Sequence, residues 1–207
     1  STLVFADRTV VLSEASALLL RSAGVEGVEV IRPAIPLPPR PAVTSEARAQ
    51  LLLSMPSLDW GDAPAFVYPG DLAFSDGARV FVEAAALVHE AMPEARFALA
   101  CRMKTPAAHA EADALMRRVE ALGLEGVVRF LGVVDDMPAL LGAATAVVLP
   151  VDTLYAKVDI PIVLLEAMAL GTPAVVSDLP SLSELSGLGQ GCRVVQRRDP
   201  SALAEVL

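Results

Sequence analysis

The 207 residues suffice for one large domain, or for one domain with part of another, and an apolar share of 54% supplies a core and excludes intrinsic disorder. Lys plus Arg number 16 against 25 Asp plus Glu, and a net charge of -9 argues against a general nucleic-acid or anionic-membrane binder. Two isolated cysteines, Cys101 and Cys192, and two histidines exclude a disulfide scaffold, a zinc ribbon and a histidine metal cluster.

In chain order, Thr9 to Leu12 reads as a short strand. Ser13 then caps a helix from Glu14 to Ser22 that Gly24 closes, and Val28 to Ile31 reads as a second strand. Arg32 to Pro41 holds five prolines in ten residues, a composition that favours extended polyproline geometry and a linker. Ser45 to Met55 predicts a short helix, and a turn-rich stretch leads to Pro64. The predicted organisation is therefore a remnant βαβ unit over 1–31, a Pro-rich linker with a short helix over 32–64, and a main domain over 65–207.

From Ala65 the pattern becomes regular. Strands are expected at Ala65 to Tyr68, Arg96 to Cys101, Val127 to Leu131, Ala144 to Leu149, Ala174 to Ser177 and Arg193 to Val195. Helices are expected between them at Asp76 to Met92, Ala107 to Leu122, Met137 to Ala143, Pro161 to Leu170 and Ser181 to Ser186, with a last one from Ser201. Such alternation predicts an α/β fold, a Rossmann-like parallel sheet with helices on both faces. Ligands of open sheets bind at the C-terminal strand edge, where the loops begin at Pro69, Arg102, Gly132, Pro150, Asp178 and Gln196. The longest apolar run, Ile160 to Ser177, is interrupted by Pro161, Glu166, Gly171 and Pro173, whereas a membrane span needs about 20 apolar residues. No basic head precedes an apolar stretch at the start, so neither a spanning segment nor a signal peptide is expected, and the chain reads as cytoplasmic.

The segment Tyr155 to Asp178 carries the most chemical information. Glu166 is the one charged residue from Ile160 through Ser177. It reads either as an exposed residue on a half-buried helix or as a cleft carboxylate accepting hydrogen bonds from vicinal hydroxyls. The helix start beside it would offer free N–H groups at Ile162, Val163 and Leu164, a seat for a diphosphate. No Gly-x-Gly-x-x-Gly follows the first strand, which disfavours a dinucleotide site.

Leu164-Leu-Glu-Ala-Met-Ala-Leu-Gly-Thr-Pro-Ala-Val-Val176 resembles the signature of retaining family 4 (group 1) glycosyltransferases, whose two Rossmann-like domains face each other in the GT-B arrangement. Phe130-Leu-Gly132 with Met137 to Leu141, Ala146 to Pro150, Ser183 to Leu185 and Asp199 to Leu203 extend the resemblance in order and spacing. It implies a C-terminal domain that binds a nucleoside diphosphate sugar as donor substrate, with no metal and no further cofactor. The first thirty residues resemble the last unit of the acceptor domain. An excised domain, inactive without that missing N-terminal domain, is thus expected, with a small complete protein as the other reading. The resemblance assigns Glu166 to the ribose, Arg102, Lys104 and Lys157 to the phosphates with Gly70 beneath them, and Val133 and Val134 to the base.

Two departures accompany this reading. The family's Glu-x7-Glu pattern is half present, because Val158 stands where the first Glu belongs. Asp159, one residue on, is either the replacement contact to the sugar, and so the catalytic candidate, or a helix N-cap. In the first βα loop, Asp71 and Asp76 occupy the places of expected cations, which leaves Arg102 and Lys104 as phosphate partners or as solvated loop cations. A degenerate, non-catalytic GT-B module serving in assembly is the alternative function, and a sugar-nucleotide epimerase-like enzyme a further one.

Overall fold

Capping residues set where four of the helices begin. The computed structural model describes residues 6–36, 44–56, 58, 60–103, 105–155 and 157–207. The side chains of Ser13, Thr105, Asp136 and Asp199 accept the N–H three residues on, starting α1 (Glu14–Ser22), α4 (Pro106–Ala121), α5 (Met137–Ala143) and α8 (Pro200–Ala204). Each such cap contributes about 1 kcal/mol by filling an otherwise orphaned donor.

The strands fall into two groups. β1 (Thr9–Val11) and β2 (Val28–Val30) pair in parallel as a separate two-stranded sheet. A parallel six-stranded sheet is built from β3 (Ala65–Tyr68), β4 (Arg96–Leu99), β5 (Val128–Phe130), β6 (Ala146–Leu149), β7 (Ala174–Ser177) and β8 (Cys192–Val195), in the order β5-β4-β3-β6-β7-β8. The order therefore reverses between β3 and β6, and a crevice opens beyond the strand ends at that switch point. The remaining elements are α2 (Thr44–Ser54), α3 (Gly77–Ala91), α6 (Ile162–Ala169) and α7 (Pro180–Ser183), the last running into a 3₁₀ turn at Glu184–Leu188.

The two-residue period of a strand divides the core. Phe66, Tyr68, Phe97 and Leu99 point to one face, where Phe81 of α3 lies 5.8 Å from the Tyr68 ring and 5.7 Å from that of Phe97. Ala65, Val67, Ala98 and Ala100 point to the other, and small side chains there admit Leu51, Leu58, Trp60 and Leu140. Helix α2 packs on α5 across this second face. The Arg48 guanidinium ties it down, donating to the carbonyls of Ala143 (3.2 Å), Ala63 (2.8 Å) and Gly61. The described residues within 44–64, a stretch that composition marks as linker and short helix, thus close one face of the main sheet.

Polar ties hold the first βαβ unit to this domain. The Glu184 carboxylate accepts the N–H groups of Glu14 (3.1 Å) and Ala15 (2.8 Å) at the start of α1, and Arg32 lies 3.6 Å from both Glu184 and Glu14. A carboxylate on a helix N-terminus satisfies two orphan donors and opposes the helix dipole favourably. Among the described residues no helix is long and apolar enough to cross a membrane.

Candidate donor site

A cavity of about 690 Å³ opens at the switch point between β3 and β6. Its walls come from the loops after β3, β4 and β5, from the segment between β6 and α6, and from the first turns of α6. The volume lies within the range of ordinary small-molecule clefts.

The floor follows from one aromatic side chain. Tyr68 ends β3 fully buried, and its hydroxyl donates to the carbonyl of Asp71 at 2.9 Å. The ring passes so close to Gly70 that a Cβ there would meet Cζ at 2.2 Å, and a Cβ on Gly77 would meet the Tyr68 hydroxyl at 2.9 Å. Only glycine fits beneath this loop. Burial drives the Tyr68 hydroxyl pKa well up, so it stays a neutral donor.

Asp71 then uses both oxygens. Oδ1 accepts the N–H groups of Ala73 (3.0 Å) and Phe74 (2.6 Å), and Oδ2 forms an ion pair with the Lys157 ammonium. The segment carrying Lys157 is tied to the same loop twice more. The Asp76 N–H donates to Asp152 Oδ1 at 3.0 Å, and the Phe74 and Tyr155 rings lie 6.0 Å apart. Arg198 holds Asp152 from the far side at 2.6 and 3.0 Å. Burial works against ionisation of Asp152, but the Arg198 and Asp76 hydrogen bonds outweigh it and hold the carboxyl below its ordinary range.

On the opposite wall α6 begins at Ile162 with Pro161 as an N-cap that supplies no side-chain bond. Ile162 and Val163 line the cavity, whereas the Leu164 N–H donates to the Pro161 carbonyl at 3.1 Å and the Leu164 side chain is fully buried. The expected trio of free N–H groups is therefore a pair, because the helix closes its first turn one residue earlier. Glu166, one turn on, lines the cavity with an exposed side chain.

Of the residues singled out in the sequence, Gly70, Arg102, Val133, Val134, Lys157, Ile162, Val163 and Glu166 line this one cavity. Lys104 lies outside the described residues. Asp159 is not among the lining residues: its carboxylate accepts a 2.9 Å hydrogen bond from Ser13 Oγ, which is itself buried. Neither sequence reading of Asp159 describes this arrangement, since Pro161 rather than Asp159 is the cap of α6 and Val158 is the residue that faces the cavity. The contact joins positions 146 residues apart, and no local pattern signals it. Thr105, Ala108 and Met137 also line the cavity and went unmarked, although their place after β4 and β5 on the ligand-binding edge was the available clue. Among the described residues no three His, Cys, Asp or Glu side chains gather into a metal-holding group. Cys101 is buried behind the cavity and burial pushes its thiol up to about 12, which makes it a packing residue.

The family described as glycosyl transferases group 1 matches residues 63–207. The chain belongs to the group 1 glycosyltransferases. Within them it is 42% identical over 79 residues to O-antigen chain mannosyltransferase B of Escherichia coli, a match over 37% of this chain and 20% of that protein. It is 38% identical over 90 residues to the phosphatidyl-myo-inositol mannosyltransferase of Mycobacterium leprae (strain TN), over 44% of this chain and 24% of the relative. Its fold is that of a GT-B Rossmann-like domain. HepE of Anabaena, solved in complex with UDP-glucose, superimposes with a TM-score of 0.82 at 22% identity, over 98% of this chain and 53% of HepE. Sucrose-phosphate synthase of Thermosynechococcus elongatus gives 0.79 at 24% identity, over 97% of this chain and 48% of that enzyme. This group 1 glycosyltransferase chain thus spans about half the length of the solved enzymes it superimposes on.

Proposed function

We propose that this chain is the nucleotide-sugar-binding half of a two-domain, retaining glycosyltransferase that moves a glycosyl group from a nucleoside diphosphate donor to an acceptor held by the other half. The observation that carries the reading is the switch-point cavity, which brings an exposed carboxylate, a helix N-terminus and two cations to one place. HepE, whose fold this chain shares, is solved with UDP-glucose bound.

In this reading Glu166 accepts hydrogen bonds from the ribose hydroxyls. The free N–H groups of Ile162 and Val163 meet the diphosphate, with the positive end of the α6 dipole behind them. Arg102 and Lys157 add charge-assisted hydrogen bonds that strengthen as negative charge builds on the leaving group. Val133 and Val134 give the base an apolar wall. Asp159, held by Ser13, anchors the segment that carries Lys157 instead of touching the sugar. The protein resides in a reducing cytoplasm, a reading that its two buried free thiols support.

The reacting atoms of such an enzyme meet between two domains, so this chain by itself supports no glycosyl transfer. A donor screen comparing it with a chain extended at the N-terminus checks that point, and equal turnover by both overturns it. Isothermal titration with UDP, GDP and ADP tests the donor site. Binding of at least one in the micromolar to millimolar range supports it, and no binding at millimolar concentration refutes it. The half-present Glu-x7-Glu pattern favours a second reading, a binding module without turnover. That reading predicts nucleotide affinity but no product from the extended chain with any donor.

A further inference from the structure

The cavity carries Asp71, Lys157, Arg102 and Glu166 as its described ionisable side chains, two of each sign. Two of the four are already spent on each other. Asp71 and Lys157 form an ion pair with side chains 22% and 17% exposed, sheltered enough for the attraction to exceed that of an open surface pair. The carboxylate cannot swing aside freely, because its other oxygen staples the turn at Ala73 and Phe74. Nor is the lysine segment loose, since Asp152 and Asp159 anchor it on either side. The cleft therefore presents Lys157 already paired, with the fixed Asp71 carboxylate lining the same cavity as the first turn of α6.

We propose that Asp71 is an internal competitor of the donor diphosphate. It holds Lys157 while the site is empty, and the donor binds by taking over Lys157 from Asp71, at reduced affinity because Asp71 stays nearby as a like charge. The inference rests on the donor-site reading above and concerns what sets affinity in that site. Like charges brought together across an interface are disfavoured by several kcal/mol when desolvated and by much less when wet. This partly sheltered geometry puts the effect at about tenfold in Kd, or about 1.4 kcal/mol.

The test is isothermal titration of UDP, GDP and ADP, each beside its nucleoside, into the wild-type chain, Asp71→Asn and Lys157→Met. Asparagine keeps a carbonyl oxygen for the Ala73 and Phe74 N–H groups while removing the charge. If thermal melting shows that this variant fails to fold, Asp71→Ser, whose hydroxyl can accept in the same turn, takes its place. The expected result is that Asp71→Asn tightens the diphosphate about tenfold, Lys157→Met weakens it, and nucleoside binding stays unchanged in both. Diphosphate affinity that is equal or weaker in Asp71→Asn, or a nucleoside affinity that shifts equally, overturns the inference and leaves the donor site standing. Absence of binding to wild type and Asp71→Asn alike overturns both.

Discussion

The βαβ unit over residues 9–31 and the main domain are both parallel α/β structures, yet they are stabilised differently. In the main domain β3, β6 and β7 are buried along their whole length, and α3 turns eight of its residues inward. In the first unit each strand has three residues, Val10, Leu18, Leu19 and Ile31 stay exposed, and α1 buries only Ala17. Two short strands and one helix cannot shelter enough apolar surface to offset the entropy of ordering them. The first unit is therefore held by its polar ties, Glu184 on α1 and Ser13 on Asp159, whereas the main domain is held by packing.

The largest expected effect comes from breaking the packed side. Phe81→Ala removes a fully buried ring that touches Tyr68 and Phe97, and costs about 3–5 kcal/mol. Leu19→Ala, at 69% exposure, changes stability by less than about 0.5 kcal/mol. Urea unfolding of the two variants measures the contrast, and comparable losses would show that the first unit has a core after all.

The polar side is broken by Glu184→Ala, which leaves the Glu14 and Ala15 N–H groups without their acceptor. A loss of about 1 kcal/mol, confined to the first unit, follows from the size of cap effects. Hydrogen exchange should quicken in α1 while α3 amides stay protected. Uniform acceleration would mean that the two regions unfold as one.

A smaller effect concerns pH. The carboxyls of Asp152 and Glu83 are held below their ordinary range, Glu83 by the Arg118 guanidinium and Asp152 by Arg198 and the Asp76 N–H against the pull of burial. A depressed folded pKa contributes stability that is present above the unfolded value, about 4, and is lost as pH falls through the folded one. Melting temperature should therefore drop on acidification below about pH 4, and Asp152→Asn should flatten part of that slope. An unchanged slope would show that Arg198 gains nothing from this partner.

Regularity made the main domain legible in the sequence. Its strands and helices alternate with capping residues and prolines at the helix starts, and expected bounds differ from observed ones by a residue or two at most ends. The cavity was legible because loops on the C-terminal edge of such a sheet converge whatever their sequence. Long-range pairing was not legible. Nothing near Asp159 marks Ser13 as its partner, and nothing near Asp71 marks Lys157, since opposite charges far apart in sequence carry no periodicity. Helix α2 was expected, at Ser45 to Met55, but its role was not legible: the prolines before it suggest a linker, whereas Arg48, Leu51 and Trp60 build it into the domain.

A crystal structure of the chain with the nucleoside diphosphate that binds most tightly tests the central claim most directly. The account predicts the diphosphate against the Ile162 and Val163 N–H groups, within hydrogen-bond reach of Arg102 or Lys157, and the ribose hydroxyls on Glu166. A nucleotide seated elsewhere, such as in the apolar groove between Ile35, Met168 and Leu188, would contradict it.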